Sequence, residues 1–133
     1  DVEAAPSIGP RTASRLYEIG IKTVADLLSA HPEETAEKLD TRHITDDALR
    51  DWQDQSRLVM AIPELRGTHA QLLVGAGLRN LADVAEVEPA TAQAAILRFA
   101  GTREGQRILR DGTPPDLEKI AAWLENARSV RAA

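Results

Sequence analysis

The residues best equipped for binding chemistry are basic side chains beside a glycine-containing turn. The turn Ser7-Ile8-Gly9-Pro10 leads into a predicted helix and is followed by Arg11, Arg15 and Lys22. At a turn of this kind, outward-pointing backbone N–H groups can hold a phosphate oxygen, and basic side chains add charge around it. The pattern predicts noncovalent contact with a phosphate backbone, without readout of base sequence.

A second turn, Ile62–Gly67, carries a similar set of residues. Arg66 stands where the first turn has Gly9, and Gly67 replaces Pro10. The candidate nucleic-acid-binding residues of the two turns are Ile8, Gly9, Arg11, Arg15, Lys22, Arg66, Gly67, His69 and Arg79. The alternative interpretation is that both turns only redirect the chain and that the basic side chains are solvated surface.

The similarity of the two turns belongs to an internal repeat. A shift of 57 positions aligns residues 6–39 with residues 63–96 without a gap, and seven aligned positions are identical. After a further insertion of 14 residues, Trp52 aligns with Trp123, the only other tryptophan of the chain. These matches predict an internal duplication.

Helices must position the two turns. Gly9 is expected to supply backbone freedom in the first turn, Gly20 to end the helix that follows, and Thr23 to cap the next one. Each half ends in a long amphipathic helix that bears one tryptophan. The side chains predicted to be buried, or to lie at close helix contacts, are Ala13, Leu16, Leu27, Trp52, Ala70, Leu73, Val84, Ile96 and Trp123.

These patterns predict an all-α fold of two tandem units, each followed by its long tryptophan-bearing helix. We expect residues 1–5 to be a flexible N-terminal stub, residues 6–61 the first unit and residues 62–130 the second. The insertion near 101–112 is predicted to form an extra short helix. Both tryptophans are expected to anchor their half-cores, and stacking on nucleic-acid bases is the alternative.

The order of turn, helix, glycine stop and capped helix resembles the helix-hairpin-helix element. Ile8-Gly9-Pro10-Arg11-Thr12-Ala13, followed by Gly20-Ile21-Lys22-Thr23-Val24, carries this resemblance. The element occurs in DNA-repair and Holliday-junction-binding proteins, and the resemblance implies phosphate binding. Its hairpin usually has two glycines around an apolar residue, and here Ser7 replaces the first. The doubled unit with its long helices resembles the bacterial domain family of unknown function 4332, which implies a fold but no activity.

Composition excludes several classes of function. The chain has 133 residues, no cysteine and a net charge of −5, which argues against a strongly basic nucleic-acid binder and against thiolate chemistry. Residues 6–24 nevertheless carry a net charge of +2, and residues 62–81 one of +1. The three histidines lie far apart, and no catalytic or phosphate-loop motif appears. We therefore expect no catalytic residue, no metal and no cofactor.

The sequence as a whole predicts a non-catalytic binding module that holds DNA by its backbone. The alternative is a protein-interaction or scaffold domain of a larger protein, without nucleic-acid contact. No apolar run approaches the length of a membrane span. We accordingly expect no membrane contact from this segment and a cytoplasmic location.

Overall fold

The computed structural model describes all residues, 1–133, as helices joined by turns, without a strand. A short 3-10 helix, Val2–Ala4, comes first. The α-helices that follow are α1 Pro10–Glu18, α2 Val24–Ser29, α3 Pro32–Leu39, α4 Asp46–Ala61, α5 Gly67–Gly75, α6 Leu81–Glu86, α7 Pro89–Ala100, α8 Arg103–Leu109 and α9 Leu117–Ala132. The prediction of an all-α fold is confirmed.

Local chemistry explains where most of these helices begin. The Thr23 hydroxyl accepts the Asp26 N–H at 3.0 Å, and the Asp26 carboxylate accepts the Thr23 N–H at 3.1 Å, which makes a reciprocal cap for α2. Asn80 and Asp116 cap α6 and α9 through their side-chain oxygens. Proline opens α1, α3 and α7, where its missing N–H costs no hydrogen bond.

The chain divides into two compact units, Asp1–Ser56 and Arg57–Ala133. The division falls within α4, whereas the repeat placed it after residue 61, at the end of the same helix. Each unit has its own apolar core. In the first unit the buried members are Val2, Ala5, Ile8, Ala13, Leu16, Ile21, Leu27, Ile44 and Leu49.

The core of the second unit is larger. Its fully buried side chains include Leu58, Ile62, Leu72, Leu73, Val84, Ile96, Ile120 and Leu124. Trp123 is 5% exposed, and its ring centroid lies 4.4 Å from that of His69. Burial of large side chains of this kind is the main favourable term in the stability of each unit.

The two units repeat the same local hydrogen bonds at an interval of 57 residues. The N–H of Ile21 donates to the Leu16 carbonyl at 2.9 Å, and the N–H of Leu78 donates to the Leu73 carbonyl at the same distance. Gly20 and Gly77 both follow these helices with left-handed φ values, +89° and +94°. The repeat seen in the sequence therefore corresponds to a repeated local structure.

Two expectations differ from the structure. Residues 1–5 are packed rather than loose, because the Val2 side chain is fully buried and its N–H donates to the Lys22 carbonyl at 2.9 Å. Trp52 was expected in the core, but it is only partly buried and packs at the edge of the first unit's core. The repeat position of His69 is Thr12, which has no ring to cover a tryptophan.

Candidate nucleic-acid interface

The first hairpin, Ser7–Pro10, is held by one buried side chain and one long-range hydrogen bond. Ile8 is 5% exposed and belongs to the core of the first unit, so its side chain anchors the turn from within. The Ser7 hydroxyl donates to the side-chain carbonyl of Gln55 in α4 at 2.7 Å. Of the predicted site residues, Ile8 therefore contributes only as a support for the turn.

The residue with unusual backbone geometry in this hairpin is Ser7. Its φ is +70°, in the left-handed region, whereas Gly9 is extended with φ −90° and ψ −179°. A Cβ added to Gly9 would meet no atom within 4 Å. The expectation that Gly9 supplies the backbone freedom is therefore wrong, because any residue can adopt its conformation.

The second hairpin, Ile62–Gly67, has the same geometry with different residues. Glu64 has φ +67° at the repeat position of Ser7, and Leu65 is buried as Ile8 is. Arg66 is extended, with φ −91°, as Gly9 is. Arginine can replace the glycine here because the position needs no left-handed backbone.

Both hairpins leave backbone donors unpaired at the start of a helix. The first main-chain bonds of α1 and α5 are donated by Ala13 to Gly9 and by Ala70 to Arg66. Neither Gly9 nor Arg66 caps its helix with a side-chain acceptor. The N–H groups of the first turn therefore have no partner within the chain, and the helix dipole gives this end partial positive charge.

The basic side chains of the first unit lie at the surface but at different ends of α1. Arg11 is exposed in the first turn, next to the hairpin. Arg15 is exposed near the other end and lies 3.5 Å from the Thr41 hydroxyl. Lys22 is exposed in the loop that follows. Of the three, only Arg11 is in the first turn of α1, where the unpaired N–H groups are.

In the second unit, Arg66 is the exposed cation of the hairpin, and His69 has a structural position. Its Nδ1 accepts the Arg66 N–H at 3.3 Å, and its ring packs on Trp123. Burial, followed by the nearby charges of Lys119 and Arg66, lowers the pKa of His69 below 6.5. His69 therefore adds no positive charge near neutral pH. Gly67 is half-buried as the first residue of α5.

The second-unit cation Arg79 lies in the loop between α5 and α6 and is engaged within the protein. Its N–H donates to the Asp83 carboxylate at 3.0 Å, and it has further interactions. At the repeat position, Lys22 donates its N–H to Asp26 at 3.0 Å. The N–H groups of Lys22 and Thr23 lower the pKa of Asp26, which keeps this carboxylate ionised as a brace for the loop.

Sequence reasoning missed the side chains that hold the hairpins. Gln55 binds Ser7, and Asn126 in α9 donates to the Pro63 carbonyl at 3.2 Å. These two residues are separated by the same interval as the two tryptophans. The shared interval could have indicated that both residues support a hairpin. Amide side chains at those positions could equally have been solvated.

The structure contains no group of three or more histidine, cysteine or acidic side chains that could hold a metal. Two shallow surface depressions of the first unit, about 260 and 330 Å³, lie near the C-terminal end of α1 and α3. Arg15 borders the smaller one, and neither includes a hairpin residue. No helix of the chain is both long and apolar enough to cross a membrane.

Comparison with known proteins supplies a family. Residues 6–130 match the family model described as Domain of unknown function (DUF4332). The chain belongs to this family. No curated protein and no solved structure matches this DUF4332 chain. The match covers both hairpins, all of α4 and all but the last two residues of α9.

Proposed function

We propose that this DUF4332 domain is a non-catalytic binding module with two helix-hairpin-helix-like units that contact the DNA backbone. The observation that supports this function is the pair of exposed hairpins, each opening a helix whose first-turn N–H groups have no partner within the chain. Such groups bind phosphate oxygens without regard to base sequence. The domain would act in the cytoplasm, without cofactor or metal.

The first hairpin is the stronger of the two candidates. Arg11 is exposed beside its N–H groups, and Ser7 adds no charge to the turn. In the second hairpin, Glu64 occupies the left-handed position and is exposed. An exposed carboxylate repels a phosphate, so this hairpin would contribute less to binding.

A protein-interaction module is the second candidate, and the charge distribution favours it. The net charge of −5 and the exposed Glu64 oppose contact with a polyanion. In this alternative the hairpins serve only to build the fold. The two functions differ in one measurable property, because only phosphate contact releases counterions and weakens as salt rises.

The test is fluorescence anisotropy of a labelled duplex and a branched DNA at about 50 mM salt, repeated at increasing salt. The variant Arg11→Glu with Lys22→Glu should bind more weakly, and the difference should shrink as salt screens the charges. The matched control reverses two exposed cations elsewhere in the first unit, Lys38→Glu with Arg42→Glu. Circular dichroism of each variant establishes that the fold is retained. A wild-type domain that binds neither DNA at low salt would leave the protein-interaction function in its place.

A further inference from the structure

Helix α8 packs with one side directly on the end of α7. Gly105 is buried there, and a Cβ at this position would lie 2.7 Å from the Ala100 Cα and overlap the Phe99 carbonyl. Ile108 and Leu109 are half-buried against the core of the second unit. Only glycine allows this close approach, which fixes the side of α8 that faces inward.

The opposite side of α8 carries arginine. Arg103 and Arg107 are four residues apart, so they project from one side of the helix, away from Gly105, and Arg110 follows at the C-cap with φ +49°. All three are exposed, and no ion pair or hydrogen bond engages their guanidinium groups. We call these three residues the arginine face.

Several contacts hold this helix in place. The Thr102 hydroxyl accepts the Gly105 N–H at 3.0 Å, and the Gln106 side chain donates to the Ala100 carbonyl. The Arg110 N–H closes the helix by donating to the Gln106 carbonyl at 3.0 Å. The arginine face is therefore presented to solvent by a helix whose first part is fastened to the end of α7.

We propose that the arginine face of α8 is an additional DNA contact, which binds phosphate groups of the duplex backbone. This inference rests on the proposed function and extends it to a surface outside both hairpins. The helix lies in the insertion of the second unit, so the first unit has no counterpart. The second unit would then bind DNA mainly through α8, which offsets the unfavourable Glu64 in its hairpin.

Chemistry favours phosphate over other partners for this surface. Guanidinium groups bind phosphate oxygens in a bidentate manner and are held here without internal counterions. The face spans about 10 Å along the helix axis, a length over which a duplex presents about six phosphate charges. No apolar side chain lies among the three arginines to enter a lipid surface or to form the dry centre of a protein interface.

The test compares two triple variants of the whole chain that lose the same charge. The first replaces the arginine face, with asparagine at the left-handed position, which asparagine tolerates: Arg103→Gln, Arg107→Gln and Arg110→Asn. The control removes three exposed cations elsewhere: Lys38→Gln, Arg42→Gln and Arg131→Gln. Anisotropy titrations of a labelled duplex across a range of KCl concentrations give the affinity and its salt dependence for each protein.

For the arginine-face variant we expect at least a tenfold loss of affinity at about 50 mM salt, with the log–log salt slope reduced by up to about three. The control should stay within about threefold of the wild type, because its three cations belong to neither hairpin and not to α8. The single variant Arg107→Gln, least able to disturb folding, should reduce the slope by about one.

Three outcomes would overturn the inference. Wild-type affinity and slope in the arginine-face variant, with binding lost in Arg11→Glu, would leave the proposed function standing and remove α8 from it. An equal loss of affinity in the control variant would mean that the effect comes from the change in net charge alone. Competition by anionic vesicles or polyglutamate that is stronger than by unlabelled duplex would assign the face to a membrane or an acidic protein. Absence of any wild-type binding to DNA would instead refute the proposed function itself.

Discussion

Ser7 and Glu64 hold the left-handed backbone of the two hairpins, although neither is glycine. A non-glycine residue in this conformation costs about 1–2 kcal/mol, whereas glycine loses about 0.5–1 kcal/mol more backbone entropy on folding. We therefore expect Glu64→Gly to stabilise the protein by up to about 1 kcal/mol. Gly77→Ala, at φ +94°, is the matched opposite and should destabilise it. Urea unfolding midpoints measure both, and a destabilising Glu64→Gly would contradict the strain argument.

His69 makes the stability of the second unit depend on pH. Its pKa is lowered in the folded protein, first by burial and then by Lys119 and Arg66. The unfolded chain therefore takes up the proton first, so the stability due to His69 is complete above pH 6.5 and is lost as pH falls through the folded pKa. Thermal melts measure this effect. Between pH 7.5 and pH 5.5, the melting temperature should fall less for His69→Gln than for the wild type. His43→Gln, at an exposed loop position, should behave as the wild type does.

The two tryptophans differ in what they contribute to their cores. Trp123 is 5% exposed and packs on His69, whereas Trp52 lies at the edge of its core. Trp123→Ala should lower the free energy of unfolding by about 3–5 kcal/mol. Trp52→Ala should lower it by less, because less of the Trp52 side chain is buried. Urea unfolding of the two variants compares them directly. Equal losses would mean that Trp52 fills its core as Trp123 does.

At the scale of elements, the packing of α8 on α7 depends on Gly105. A methyl group there would meet backbone atoms of Phe99 and Ala100, which cannot move independently of α7. We expect Gly105→Ala to destabilise the protein by about 1–3 kcal/mol, despite the better helix propensity of alanine. Gly9→Ala, with extended backbone and no neighbour within 4 Å, should be neutral or slightly stabilising. Urea denaturation measures both, and a tolerated Gly105→Ala would show that α8 can move away from α7.

Features that depend on local chemistry could be predicted from the sequence. Features that depend on tertiary packing could not. The cap at Thr23 depends on residues within one turn of its helix, so the sequence contains all the information. The burial of Trp52 depends on neighbours that the sequence does not place. The hairpin conformation was assigned to Gly9 by residue type, although the chain takes its left-handed turn at Ser7.

The whole molecule is acidic, and its candidate DNA contacts are confined to small surfaces with net positive charge. Residues 6–24 carry +2 and residues 62–81 carry +1, within a chain of net charge −5. Binding would therefore depend on the local balance of charge at each hairpin and at α8 rather than on attraction by the whole domain. The repeated fold then presents two similar turns of unequal strength.

This inequality gives a prediction for the whole domain, made with single charge reversals. Arg11→Glu should weaken duplex binding at about 50 mM salt more than Arg66→Glu does, because the first hairpin has no acidic residue in its turn and the second has Glu64. Both arginines are exposed beside a hairpin, Arg11 in the first turn of α1 and Arg66 at the residue before α5, so the two reversals change the charge equally. Anisotropy titrations of both variants decide the order. A greater loss with Arg66→Glu would mean that the second hairpin provides the main contact despite its carboxylate.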